Sequence, residues 1–165
     1  MEPEEQNIAL LRLKAMLNEE FTNTVFIHCD DKKQIKKLVD AGIKVAPLPE
    51  EPLDQIVGIM LYCKLNAVME GRLLITKLDL SSDIGDSIRY TQTDDETVGP
   101  FAETGWWNEV EPTYNGLVPR RNSGDSRVVE MQKTKTWKDY GYHWVDEETP
   151  IESTVVYAKF SKIGR

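Results

Sequence analysis

The chain is sparing with the residues that carry most enzyme chemistry. Its 165 residues include two cysteines, Cys29 and Cys63, and two histidines, His28 and His143. Two thiols cannot form a disulfide framework, and free buried cysteine is common inside cells. Taken together, the four residues do not have zinc-finger spacing. His28 and Cys29 are adjacent in an apparent strand, where neighbouring side chains point to opposite faces, so they are not expected to meet as base and nucleophile. No Gly-x-Gly-x-x-Gly, no Gly-x-x-x-x-Gly-Lys-Ser/Thr and no Gly-x-Ser-x-Gly occurs. Long apolar runs are missing too. The longest uncharged run of the helical part, Gln55 to Cys63, is far short of the ~20 residues a membrane span needs. The Met-Glu-Pro-Glu-Glu start is acidic where a secretory signal is basic, and there is no Asn-x-Ser/Thr sequon. These absences place the protein in a cytoplasm, or in a particle assembled there, without catalytic residues, metal site or cofactor.

Basic residues are also in short supply, and unevenly so. The net charge is −8. From Asp79 to Glu111 nine acids face a single base, Arg89, whereas the remaining 132 residues balance at 19 of each sign. Pro112 to Lys138 then carries six bases and two acids, and Asp139 to Glu152 five acids and no base. Blocks of alternating sign differ from the interleaved charges of an ordinary solvated face. An acidic chain is poorly suited to phosphate-backbone binding, which depends on Lys and Arg displacing counterions. With no polybasic amphipathic helix, a membrane surface is not an expected partner either.

What is present reads as α+β. Glu4 to Phe21 is rich in strong helix formers and carries two apolar stripes. The wide one is Ala9, Leu10, Leu13, Met16, Leu17 and Phe21; the narrow one is Ile8, Leu11 and Ala15. Thr24 to Cys29 reads as a buried strand. Asp30 or Asp31 caps a helix to about Asp40, with Gly42 as its stop, and Ile43 to Val45 is short and extended. Pro52 suits the first turn of a helix from Leu53 to Glu70, which is apolar nearly all round and is expected to be the central core helix. Ile56, Met60, Leu61, Leu65 and Val68 are expected to be buried there, and Gly71 ends the helix.

Beyond Arg72 the pattern changes. Strands are expected at Leu73–Leu80, Ser87–Thr93, Arg127–Trp137, Tyr140–Val145 and Ser153–Ser161. A long ordered loop, Thr97 to Gly124, is punctuated by Gly and Pro. Ten of the fourteen aromatics lie in residues 101–165. The expectation is one domain, 1–165, mainly helical over 1–71 and mainly strand and loop over 72–165. Its helices, the buried core helix among them, pack on a mainly antiparallel sheet from the C-terminal half.

Two stretches, Val25-Phe26-Ile27-His28-Cys29-Asp30-Asp31 and Leu74-Ile75-Thr76-Lys77-Leu78-Asp79, resemble the start of a response-regulator receiver domain. The likeness spans about residues 24 to 80. It implies that Asp30, Asp31 and Asp79 converge to hold magnesium, with a phosphoryl group accepted by Asp79. The sequence departs from that pattern after Asp79, where another strand follows almost at once. It also lacks the hydroxyl residue and lysine that end two further strands of that fold, and it adds a leading helix.

The candidate partner-binding residues are Asp94, Asp95, Glu96, Trp106, Trp107, Glu109 and Glu111. They lie in the acidic, turn-rich segment, where two adjacent Trp cannot both enter one core if the backbone is extended. The reading is a non-enzymatic protein-interaction subunit, a structural or assembly component of a viral particle or similar complex, binding protein partners that include copies of itself. The alternatives are an acidic inhibitor that mimics nucleic acid, with its carboxylates exposed in a row, and a magnesium-binding receiver-like domain.

Overall fold

Helix α1 spans Pro3–Ala15, with Glu4 and Glu5 in its first turn and Arg12 and Lys14 in its last, a charge order that complements the helix dipole. The chain does not leave the helix there but widens into a π-helical segment, Met16–Phe21. Turns of this kind bond residue i to i+5, which brings Met16 and Phe21 onto the same inward side. The hydroxyls of Thr22 and Thr24 close the segment by donating to the carbonyls of Leu17 (3.1 Å) and Glu20 (2.9 Å). Asn23 turns the chain at positive φ (57°), a conformation Asn tolerates.

The computed structural model describes residues 3–81, 83, 88–91, 99–103, 105–112 and 135–145. Strand β1 (Thr24–His28), helix α2 (Lys32–Asp40) and strand β2 (Lys44–Leu48) form a parallel crossover unit, with Thr24 opposite Lys44 and His28 opposite Leu48. The Asp31 carboxylate accepts the Gln34 N–H (3.2 Å) as the N-cap of α2, and Gly42 follows its end at φ 80°. Alternation sorts the strand residues. Ile27 and Val45 meet Ile35, Leu38 and Val39 of α2, while Phe26, Ala46 and Leu48 face the other way. Leu48 O accepts the Cys29 N–H (2.8 Å), so Pro47, one residue earlier, turns its donor-less nitrogen to the outer edge.

Helix α3 (Asp54–Met69) separates two cores, as expected of the central helix. Ile59 and Met60 join Ala46, Leu48, Phe101 and Trp106. Leu65, Val68 and Met69 join Ala9, Ala15, Met16, Trp137 and Trp144. Met60, Leu65 and Val68 are buried as expected; Ile56 and Leu61 are half-buried. The helix stops at Glu70 and Gly71, both in the left-handed region. Pro52 precedes the N-cap Leu53 rather than sitting in the first turn. The Asn66 side-chain oxygen accepts the Ile75 N–H (2.8 Å) and anchors the exit from α3.

Strands β3 (Lys77–Leu80) and β4 (Ile88–Thr91) pair antiparallel in a separate two-stranded sheet that packs on α3, where Leu80 lies 3.9 Å from a Cβ placed at Gly58. The architecture is therefore mixed α+β. The mainly antiparallel sheet expected of the C-terminal half is not what the described residues form: they give one parallel and one antiparallel pair, and the parallel pair belongs to the N-terminal half. Of the strands expected at Arg127–Trp137 and Ser153–Ser161, residues 127–134 and 153–161 lie outside the described residues, and the described end of the first, 135–137, is not strand. The strand expected at Tyr140–Val145 is absent. Tyr140 instead ends a short helix, α4 (Trp137–Tyr140), which is started by a capping box between Thr136 and Asp139 and ended by Gly141 at φ 72°, and 141–145 follow without strand. The alternating aromatics Tyr140, Tyr142 and Trp144 imitated a strand, but the cap and the glycine decide the local conformation. Among the described residues no helix is long and apolar enough to cross a membrane.

Candidate functional site

The acidic, tryptophan-bearing segment lies along α3. Phe101 and Trp106 are both buried, Trp106 with only 3 % of its surface exposed. Trp107 is half-buried, edge-on to Phe101 (5.0 Å between ring centroids) and to Trp106 (5.7 Å). Its indole N–H donates to the carbonyls of Phe101 (3.2 Å) and Glu103 (3.3 Å), which also accept from the Asn108 amide (3.1 and 2.8 Å). The extended backbone at Gly105 lets the Trp107 ring fold back against it, because a Cβ there would meet ring atoms at 2.6 Å. The two rings therefore cover the core from a tight 3-10 turn, Trp106–Asn108, rather than splitting between core and solvent. Neither is presented as a free anchor.

Lys64 fastens the end of this segment. Its side chain has no exposed surface, and its ammonium donates to Glu109 O (2.7 Å) and Glu111 O (2.6 Å). Burial lowers its pKa to about 8, against the opposing pull of the Glu109, Glu20 and Glu111 carboxylates. The Glu111 carboxylate accepts the Trp137 N–H (3.1 Å), and the Trp137 indole donates to Val110 O (2.6 Å). Glu109 is exposed while Glu111 is half-buried, so Glu111 serves the internal scaffold. Asp94, Asp95 and Glu96 lie outside the described residues.

The other core holds a buried cation that composition gave no reason to place inside. Arg12, 1 % exposed, lies over the Trp144 ring (3.8 Å from the guanidinium carbon to the centroid) and beside Trp137 (5.1 Å). It donates to Tyr142 O (2.7 Å) and pairs with the Glu70 carboxylate (2.6 Å). Arg72 adds a second guanidinium at 4.4 Å from the Trp144 centroid. With Arg12 inward, the faces of α1 differ from the two expected stripes. Ala9, Ala15 and Met16 are buried with it, and Leu10, Leu11 and Leu17 are left 44 %, 40 % and 39 % exposed.

The acidic triad implied by the receiver likeness does not form. β3 pairs with β4 and not with β1. The Asp79 carboxylate is engaged by Arg89 (2.7 Å), its cross-strand partner, and by Lys77 (3.2 Å), which together hold its pKa below the usual carboxylate range. Among the described residues, one group of metal-ligand type stands out: His28, Cys29 and Asp30, whose ligand atoms all lie within 4.8 Å of one another. This corrects the expectation that His28 and Cys29 point apart. β1 ends at His28 and the chain turns at Cys29 and Asp30, so strand alternation no longer governs them. The Asp-Asp pair after an apolar strand signalled that turn.

Comparison with protein-family models, with curated proteins and with solved structures gave no match.

Proposed function

We propose that this protein is a non-enzymatic subunit that works by binding protein, in the first place further copies of itself, within a particle of the kind viruses build in a cytoplasm. The observation that carries the reading is the outer face of α1 and its π-helical extension. Leu10, Leu11 and Leu17 are each more than a third exposed on the side away from the core. Side chains of this size left in water on one helix mark a contact surface when they are grouped. The blocks of opposite charge, −8 over 79–111 and +4 over 112–138, add an attraction that suits heterologous docking between copies. The mimic reading has less support: Asp79 is neutralised by two bases and Glu111 is engaged internally, so these carboxylates are not free in an exposed row.

Light scattering behind size-exclusion chromatography tests this, at low and high salt and over a range of concentrations. Wild type is expected to show a concentration-dependent mass above that of one chain, weakened by salt. The Leu10→Glu/Leu17→Glu double variant is expected to run as a monomer with unchanged helix content. A wild-type chain that stays monomeric throughout rules out self-assembly.

A further inference from the structure

We propose that His28, Cys29 and Asp30 form a binding site for a divalent transition-metal ion, Zn2+ by the chemistry of its donors. The three residues supply one imidazole nitrogen, one thiol sulfur and one carboxylate oxygen from a single turn at the carboxyl end of β1. Imidazole and thiolate suit zinc, whereas magnesium and calcium take oxygen donors. The present spacing is open. Cys29 Sγ stands 4.0 Å from an Asp30 carboxylate oxygen, and the set spans 4.8 Å at most. Tetrahedral coordination at bond lengths of about 2.0–2.3 Å brings ligand atoms to roughly 3.5 Å apart. The contraction is of the order of an ångström and falls on side chains that can move: Cys29 and Asp30 are exposed and His28 is half-buried.

Charge favours the same ion. When Zn2+ binds, the Cys29 thiol gives its proton to solvent, and thiolate and carboxylate together neutralise the 2+ charge. The nearby N-terminus of α2, which repels cations, then faces a neutral site. The cost of loading is one hydrogen bond. His28 Nδ1 accepts the Asp30 backbone N–H at 3.1 Å. Coordination through Nδ1 replaces that bond, and coordination through Nε2 moves the ring proton to Nδ1 and breaks it. Asp31 stays outside the set because its carboxylate caps α2. Three protein ligands leave a fourth position for water.

The test uses the full chain, reduced and stripped of metal with a chelator that is then removed. It is titrated with Co2+ as a spectroscopic stand-in, and the cobalt is then displaced with Zn2+. One equivalent of cobalt is expected to develop thiolate-to-cobalt charge-transfer absorption, which zinc abolishes. Cys29→Ser is expected to remove that absorption, and His28→Gln to weaken binding by roughly tenfold or more. Cys63→Ser is expected to leave both unchanged, because Cys63 sits on α3 and burial raises its thiol to about 11. Far-UV circular dichroism confirms that each variant is folded. Absence of a thiolate band in the folded wild type, or its persistence in Cys29→Ser, overturns the proposal.

Discussion

Lys64 makes alkaline stability a direct reading of its burial. Its ammonium is deprotonated near pH 8 in the folded protein, against 10.5 in an unperturbed chain. Between those values the unfolded state binds more protons than the folded one, so stability rises with pH through this group. Each unit of separation is worth about 1.4 kcal/mol, and the full window on the order of 3 kcal/mol. Wild type alone does not display the effect. Cys63 is raised from 9.0 to about 11, which works in the opposite sense, because the unfolded thiol ionises first and stability falls between those values. Tyr140 is pushed up by burial and by the Glu19 and Glu20 carboxylates, and it opposes in the same way above pH 10. The Lys64→Met variant carries these same opposing contributions, so the difference between the two proteins isolates Lys64. Urea unfolding at pH 7, 8, 9 and 10 is the assay. The variant loses the two bonds to Glu109 O and Glu111 O and is expected to be less stable at pH 7. The wild-type advantage is then expected to widen by about 1 kcal/mol per pH unit above pH 8. A difference that stays level to pH 10 means that the carbonyls and carboxylates around Lys64 hold its proton against desolvation, and the reasoning fails.

Two further outcomes follow from the same packing. Arg12→Ala leaves Glu70 without its short partner and removes the guanidinium over Trp144, and is expected to cost about 3–5 kcal/mol in chemical denaturation. Arg12→Lys keeps the charge but not the planar stacking, so it should recover only part of that loss, with an altered near-UV tryptophan signal. Gly105→Ala places a methyl group 2.6 Å from the Trp107 ring, and is expected to cost roughly 1–3 kcal/mol and to shift tryptophan fluorescence as the ring is displaced. An unchanged fluorescence spectrum in Gly105→Ala would mean that the ring does not fold back on this backbone.

Where the local code was unopposed, the sequence was readable. Asp31 and Gly42 bracket α2 as their chemistry requires, and the near-absence of a polar face on α3 announced its central place. The failures have a common physical source. Arg12 and Lys64 are buried although burying a charge is costly, and nothing local in the sequence announces the distant carbonyls and aromatic rings that offset the cost. With Arg12 turned inward, the helix rotates relative to its hydrophobic stripes and three leucines are left outside. The candidate site fared likewise. Trp106 and Trp107 are expected from the sequence at a partner interface, whereas the tight turn that folds both rings over the core depends on Gly105 and on shared carbonyls, which spacing alone does not reveal. For His28 and Cys29 the expectation that they point apart applies strand geometry one residue past the strand's end, which also hides their approach to Asp30.

The bond from Arg12 to Tyr142 joins residues 130 apart in sequence, and this orders events during synthesis. Arg12 leaves the ribosome well before its acceptor, which is made on the order of ten seconds later at ~5–20 residues per second. Until Tyr142, Trp144 and the stop of α3 at Glu70 are all in place, the guanidinium is better off hydrated than buried. The nascent first helix must therefore wait beside a half-built core. α2 and its two strands need nothing beyond Leu48 for their own pairing and cap, and can close while the rest of the chain is still being made.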